Sequence, residues 1–342
     1  MKRLVCFLMA LVMTLSLAAC GSKPDTGAND ASGDGTCEPL TLVWGDFHSS
    51  NTSFYEAMEK FRDLVSEKSG GAITVELYPD STLGSQMELV EAVRSGDVDI
   101  TYTSTFSVYS PEFKVYDLPF VWDDYDHIER ALFNGEVGEY LAQKLNEESG
   151  LRIMNWQHAG FRNFYTKKTV VNSIDDLHSV KMRSPETETY VKMFECINVA
   201  ATPLPWNDTY EAIRSGVVDG AETNIEGYIN FSIYEVAPNV AMVNHMYTCE
   251  CAVMSEEKYQ SLTDTQKKIL DEAFQEIEDW FNPKQRAYEA ELIEKLTTDY
   301  GCTVTYPDRT AFREACAAEW DWLAETLPET DEILAMIDAA RE

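Results

Sequence analysis

From Leu40 onward, short runs alternating apolar and polar residues take turns with segments of helical periodicity, and this alternation restricts the fold most. Residues 40–44 and Ile73-Thr74-Val75-Glu76-Leu77 read as strands. Between them Phe54, Met58, Phe61, Leu64 and Val65 fall at helical spacing, and Ser69-Gly70-Gly71 stops the helix. Strand and helix then keep alternating, which predicts an α/β fold. One stretch occurs twice: Glu91-Ala92-Val93-Arg94-Ser95-Gly96-Asp97-Val98-Asp99 returns as Glu211-Ala212-Ile213-Arg214-Ser215-Gly216-Val217-Val218-Asp219. Each copy reads as a helix end, a left-handed glycine and a short strand. One copy in each half predicts two lobes of similar build.

Toward the C-terminus Thr263 and Gln266 form a capping-box pattern. Ile269, Leu270, Ala273, Phe274, Ile277 and Phe281 then mark one helical face, continued by Tyr288, Leu292 and Leu296. Unbroken over 264–300, such a helix runs about 55 Å and would brace two lobes. Pro283 predicts a kink, or a division into two helices. A strand at 302–305 and a helix at 310–325 close the chain.

The chain carries 27 basic against 59 acidic residues, a formal net charge of −32. That excess disfavours nucleic acid and anionic membrane surfaces as partners. Residues 160–185 invert the balance, with Arg162, Lys167, Lys168, Lys181 and Arg183 against Asp175 and Asp176. A basic island in an acidic chain fits the local capture of a small anion, although solvated surface charge is the plain alternative. Arginine suits a carboxylate because its planar fork matches two oxygens and keeps its proton. Val180, Lys181 and Met182 read as a strand, followed by a helix with Ser184 as N-cap and Pro185 at its first position. Arg183 therefore falls where a strand's carboxyl end meets a helix N-terminus, the ligand crevice of open α/β sheets.

Lys2 and Arg3 precede an apolar run over 4–17 that is too short to span a bilayer comfortably, so 1–19 reads as a signal peptide. Leu17-Ala18-Ala19-Cys20-Gly21 resembles a bacterial lipobox, which implies a lipid on Cys20. Residues 20–36, rich in Gly, Ser, Asp and Asn, read as a flexible tether. No later apolar run has transmembrane length. Export permits disulfides among Cys37, Cys196, Cys249, Cys251, Cys302 and Cys316, whose pairing the sequence leaves open. His245, Cys249 and Cys251 lie on one strand pattern without a second cysteine cluster, so buried or bridged thiols are expected and no metal or cofactor.

Over about 40–322 the chain resembles the solute-binding proteins of tripartite ATP-independent periplasmic (TRAP) transporters, the DctP family. The motifs are, in order, Ser69-Gly70-Gly71 with Leu77-Tyr78-Pro79 and Leu83-Gly84; Arg94-Ser95-Gly96 with Asp99; Asp117-Leu118-Pro119-Phe120; Gly160-Phe161-Arg162-Asn163; Asp176-Leu177 with Lys181-Met182-Arg183-Ser184-Pro185; Pro203 with Tyr210; and Gly216-Val217-Val218-Asp219-Gly220-Ala221-Glu222. The resemblance implies a two-lobed, periplasmic-binding-protein-like α/β fold with a hinge and a long helix across both lobes. The interleaved lobes would comprise 37–159 with about 248–285, and 160–247 with about 286–342.

It further implies closure over a small organic acid, with Arg183 in the slot of the family's carboxylate-binding arginine. Arg162 takes the slot of a second arginine near the ligand, or braces the region of Arg183. Trp206 occupies an aromatic slot lining the pocket, with core packing as its alternative. Glu222 matches an acid that could accept hydrogen bonds from ligand hydroxyls. Many relatives place Asn directly after that Glu; here Thr223 intervenes before Asn224, so both are candidate contacts. Asp46, His48, Ser104 and Phe106 lie on loops that the family turns toward the cleft.

The expected function is capture of an organic anion by a lipid-tethered, monomeric, non-enzymatic protein and delivery to TRAP permease subunits. A uronate or other sugar acid fits Glu222 with Trp206, whereas a C4-dicarboxylate fits two arginines. A ligand sensor for a receptor is the alternative, and an extracytoplasmic enzyme a third. No GxSxG, HExxH or Walker-type loop is present, and His48, His127, His158, His178 and His245 have no evident nucleophile partner.

Overall fold

The computed structural model describes residues 37–341; the signal peptide, Cys20 and the tether expected over 1–36 lie outside the described residues. Nine strands make one mixed sheet: β1 (Leu40–Gly45), β2 (Ile73–Tyr78), β3 (Ile100–Thr103), β4 (Leu151–Thr166), β5 (Lys181–Ser184), β6 (Ala200–Pro203), β7 (Gly220–Thr223), β8 (Asn239–Ser255) and β9 (Thr303–Thr305). Their order is β2-β1-β3-β8-β4-β7-β5-β6, with β9 beside β8. β1 is parallel to β2 and β3, and β5 is parallel to β6 and β7. The long strands β4 and β8 run antiparallel to each other and join the two parallel groups. Their pairing slips between Ile153 and Asn155, His158 and Gly160, and Arg162 and Phe164. Such bulges bend and twist a ladder, as a hinge between lobes requires.

The repeated sequence is a repeated structure. The helices Gln86–Ser95 and Thr209–Ser215 end on left-handed Gly96 (φ 85°) and Gly216 (φ 81°). The next amides, of Asp97 and Val217, each return to an alanine carbonyl, Ala92 and Ala212, at 2.9 Å. Asp99 then accepts the Val43 amide of β1 at 2.8 Å, and Asp219 the Lys181 amide of β5 at 3.2 Å. In both copies the final aspartate ties the backbone of a neighbouring parallel strand to the loop.

The helix Asp264–Thr298 is continuous past Pro283, and Thr263 and Gln266 form the expected capping box. Its first half (Ile269, Leu270, Phe274, Phe281) is buried with Trp44, Met58 and Phe61. Its second half (Leu292, Leu296) is buried with Tyr165, Ile213 and Tyr228. Polar side chains dock the same helix on β4. Glu278 accepts the Trp156 amide at 2.8 Å, while Asn282 accepts the His158 amide at 2.9 Å and donates to the Trp156 carbonyl at 3.0 Å. This packing holds the helix together where proline removes an internal hydrogen bond.

Two local expectations change. The helix after β5 begins at Glu188 with Thr187 as N-cap, not at Ser184. Ser184 instead extends the ladder opposite Pro203, and its carbonyl accepts the Leu204 amide at 3.2 Å. Beyond the closing helix Arg309–Thr326 lies a further one, Thr330–Ala339. The sequence reading places 286–342 in the second lobe. Leu323, Leu327, Ile333 and Ile337 are buried beside Val121, Leu132, Val137 and Leu145. Cys37, Cys196, Cys249, Cys251, Cys302 and Cys316 are free thiols.

Candidate ligand-binding site

A cavity lies where the carboxyl ends of the parallel strands meet β4 and β8. Arg183, at the end of β5, lines it and is only 4% exposed. Its Nε donates to the Leu204 carbonyl at 2.9 Å, and its guanidinium lies over the Trp206 ring at 5.3 Å. Neither terminal nitrogen of Arg183 has an acceptor among the described residues. Burial is the main reason that its pKa falls to about 10; Arg162 adds to the effect and Glu222 opposes it.

Arg162 also lines the cavity but is already occupied. It grips Glu222 with both prongs, Nε to Oε2 at 2.5 Å and Nη2 to Oε1 at 2.7 Å, while Nη1 donates to Thr248 Oγ1 at 2.9 Å. Glu222 sits on β7 across from Phe164 of β4, fully buried. Burial pushes its carboxyl up, yet Arg162 and His245 together outweigh burial and hold it at about 2. Glu222 does not line the cavity, and both its carboxylate oxygens accept from Arg162.

The other candidates divide in the same way. His48, Ser104, Trp206, Thr223 and Asn224 line the cavity; Asp46 and Phe106 do not. Asp46 lies behind His48 and holds its Nδ1 at 3.1 Å, and Phe106 packs in the core against Phe113. Asn224 uses its Oδ1 to cap the helix Ile225–Asn230, accepting the Gly227 amide at 2.7 Å. Ser104 Oγ accepts from Gln86 Nε2 at 3.1 Å. Trp206 meets Phe231 edge-on, and with Phe47 and Phe54 these rings give the cavity apolar faces.

Several lining residues escape the sequence reading: Asp117, Tyr190, Glu226, Thr248 and Glu250. On β8, Thr248 and Glu250 point to the cavity while Cys249 and Cys251 point to the core, the two-residue period of a strand. That alternation was available in the sequence, where the two cysteines drew attention to the opposite face. Asp117 belongs to a quoted motif and accepts from Ser107 Oγ at 2.7 Å and Thr189 Oγ1 at 3.1 Å. Among the described residues no group of His, Cys, Asp and Glu is arranged to hold a metal ion, and no helix is long and apolar enough to cross a membrane.

Residues 44–326 match the bacterial extracellular solute-binding protein family 7, DctP. The sialic acid-binding periplasmic protein SiaP of Vibrio cholerae is 30% identical over 277 residues, 80% of this chain and 85% of that protein. The crystal structure of a TRAP periplasmic solute-binding protein from Sulfitobacter sp. NAS-14.1, with bound β-D-galacturonate, superposes with a TM-score of 0.83 at 28% identity, covering 87% of this chain and 99% of that one. A second, from Roseobacter denitrificans with bound β-D-glucuronate, gives a TM-score of 0.84 at 28% identity over 88% and 99% of the two chains. With the two-lobed fold and the cavity between its parallel strand groups, these matches establish that the chain belongs to the DctP family of TRAP solute-binding proteins.

Proposed function

We propose that this protein captures a sugar acid bearing one carboxylate outside the cytoplasm and hands it, unaltered, to a TRAP permease. The observation that carries the reading is the contrast between the two arginines. Arg162 is neutralised by Glu222, whereas Arg183 is a buried cation whose terminal nitrogens face the cavity without an acceptor. One free guanidinium fits one carboxylate, gripped by both oxygens. The sequence alternative of a C4-dicarboxylate held by two arginines has less support, because the second arginine already has its carboxylate. The aromatic faces of Trp206 and Phe231 suit a sugar ring, and the ligands named for the three relatives are sugar acids. Tethering through a lipid on Cys20 belongs to this proposal, and Cys20→Ala should move the protein from the membrane to the soluble fraction.

Calorimetry with D-galacturonate and D-galactose tests the anchor. Galacturonate should bind far more tightly than the neutral sugar. Arg183→Lys should weaken it about 30-fold or more, since truncating one partner of a buried charge pair costs roughly 2–5 kcal/mol. Equal affinity for acid and neutral sugar, or full affinity in Arg183→Lys, would refute it.

A further inference from the structure

Three carboxylates line the cavity, and they are not equivalent. Asp117 takes the hydroxyls of Ser107 and Thr189. Glu226 takes the Ser53 amide at 2.9 Å and hydroxyl at 2.7 Å, Asn230 Nδ2 at 3.1 Å, and Gln285. Glu250 is 5% exposed, and its Oε2 has no hydrogen-bond partner among the described residues. His48 and the Ser104 hydroxyl temper its charge, but His48 Nε2 stops 4.0 Å short of Oε1, beyond hydrogen-bond reach. His48 is held in that orientation from behind, by Asp46 on Nδ1 and by Phe54 stacked at 4.4 Å. Arg162 also favours its charge from a distance, but Arg162 is bound by Glu222, and neither Arg162 nor His48 hydrogen-bonds Glu250.

A buried carboxylate oxygen without a donor is costly, and a hydrogen-bond donor from outside the protein relieves that cost. The cavity thus holds one cation whose terminal nitrogens lack an acceptor, Arg183, and one acid with an oxygen that lacks a donor, Glu250. The matching molecule has a carboxylate at one end and an O–H donor toward the other. Building on the reading of Arg183 as the carboxylate anchor, we propose that Glu250 reads the remote end of the ligand, accepting a hydroxyl hydrogen there and repelling acids that carry a second carboxylate in that place. Such a second carboxylate would meet Glu250, with Asp117 and Glu226 on the same cavity and no second free guanidinium. Glu250 is in this sense the residue that selects polyhydroxylated monoacids over diacids.

Three soluble probes isolate the effect: D-glucuronate, D-galactonate, and galactarate, which replaces the terminal hydroxymethyl group of galactonate with a carboxylate. Calorimetry on the wild type should show at least one monoacid binding about tenfold or more tighter than galactarate. Glu250→Gln keeps the shape but removes the charge; it should weaken that monoacid about tenfold, leave galactarate no weaker, and bring the two within about threefold. Glu250→Asp keeps the charge and should keep galactarate excluded while weakening the monoacid. Melting curves establish that both variants are folded. A uniform loss for all three acids in Glu250→Gln, or no change, would overturn the assignment of Glu250. Arg183→Lys separates the two readings. If it loses the monoacid while Glu250→Gln keeps the wild-type preference, only the Glu250 assignment falls. If it binds as the wild type does, or if the wild type binds none of the acids, the anchor falls and this inference with it.

Discussion

Arg183→Met removes a buried guanidinium whose terminal nitrogens face a cavity, whereas Arg162→Met removes one that closes a buried ion pair. The same substitution should therefore have opposite effects on the ligand-free protein. At Arg183 burial disfavours the charge, lowering its pKa from 12.5 to about 10, on the order of 3 kcal/mol. Arg183→Met should leave the melting temperature unchanged or higher by a few degrees while abolishing carboxylate binding. Arg162→Met leaves Glu222 with only His245, 3.5 Å from its Oε2, and should cost about 3–5 kcal/mol, a fall of roughly 5–10 °C. Differential scanning calorimetry of both variants without ligand decides; a large fall in both would show that Arg183 also has a structural partner. That Arg183 would lie at the crevice was legible in the sequence, from its place at a strand end within a basic island. Which arginine stays free was not, because it depends on Glu222, 60 positions away on another strand.

The long helix acts on β4 at the level of whole elements. Between Trp156 and His158, in the regular stretch of β4 that two bulges flank, the backbone finds its partners on helix side chains Glu278 and Asn282. Asn282→Ala would leave the buried His158 amide and Trp156 carbonyl unpaired, at about 1–3 kcal/mol each. A chemical-denaturation midpoint lowered by that amount is expected, with the slope unchanged; a wild-type midpoint would mean that water substitutes for the amide. The helix's periodicity and capping box were readable from residues alone, as was the helix-glycine-strand repeat. Its continuity at Pro283 was not readable, because that is decided by packing against two cores. Nor was the delayed helix start at Thr187, since Ser184 is claimed by a ladder with β6 that local propensity does not encode.

For the whole molecule, buried acids set the response to pH. Burial, as the largest cause, raises Asp117, Glu250, Glu278 and Glu289 to about 7. A raised acid binds more protons folded than unfolded, so stability falls as pH climbs from about 4 to about 7. His48, also raised, acts in the same direction; His158, lowered to about 4, and His245 act against it. The acids outnumber them, and the net charge of −32 adds repulsion as pH rises. The ligand-free protein should melt several degrees higher at pH 5 than at pH 8; scans across that range would refute this by showing the reverse order. The two-lobed plan was legible from alternation and repetition, whereas the weave of late elements with early ones was not, because an apolar face carries no mark of its partner. That weave also has a consequence for how the chain is made. β3 waits for a neighbour contributed by Cys251–Met254, and β4 likewise pairs along its length with β8. As the polypeptide is synthesised from its N-terminus, neither lobe can close its sheet until β8 has emerged, so the molecule matures in one late event and not as two successive halves.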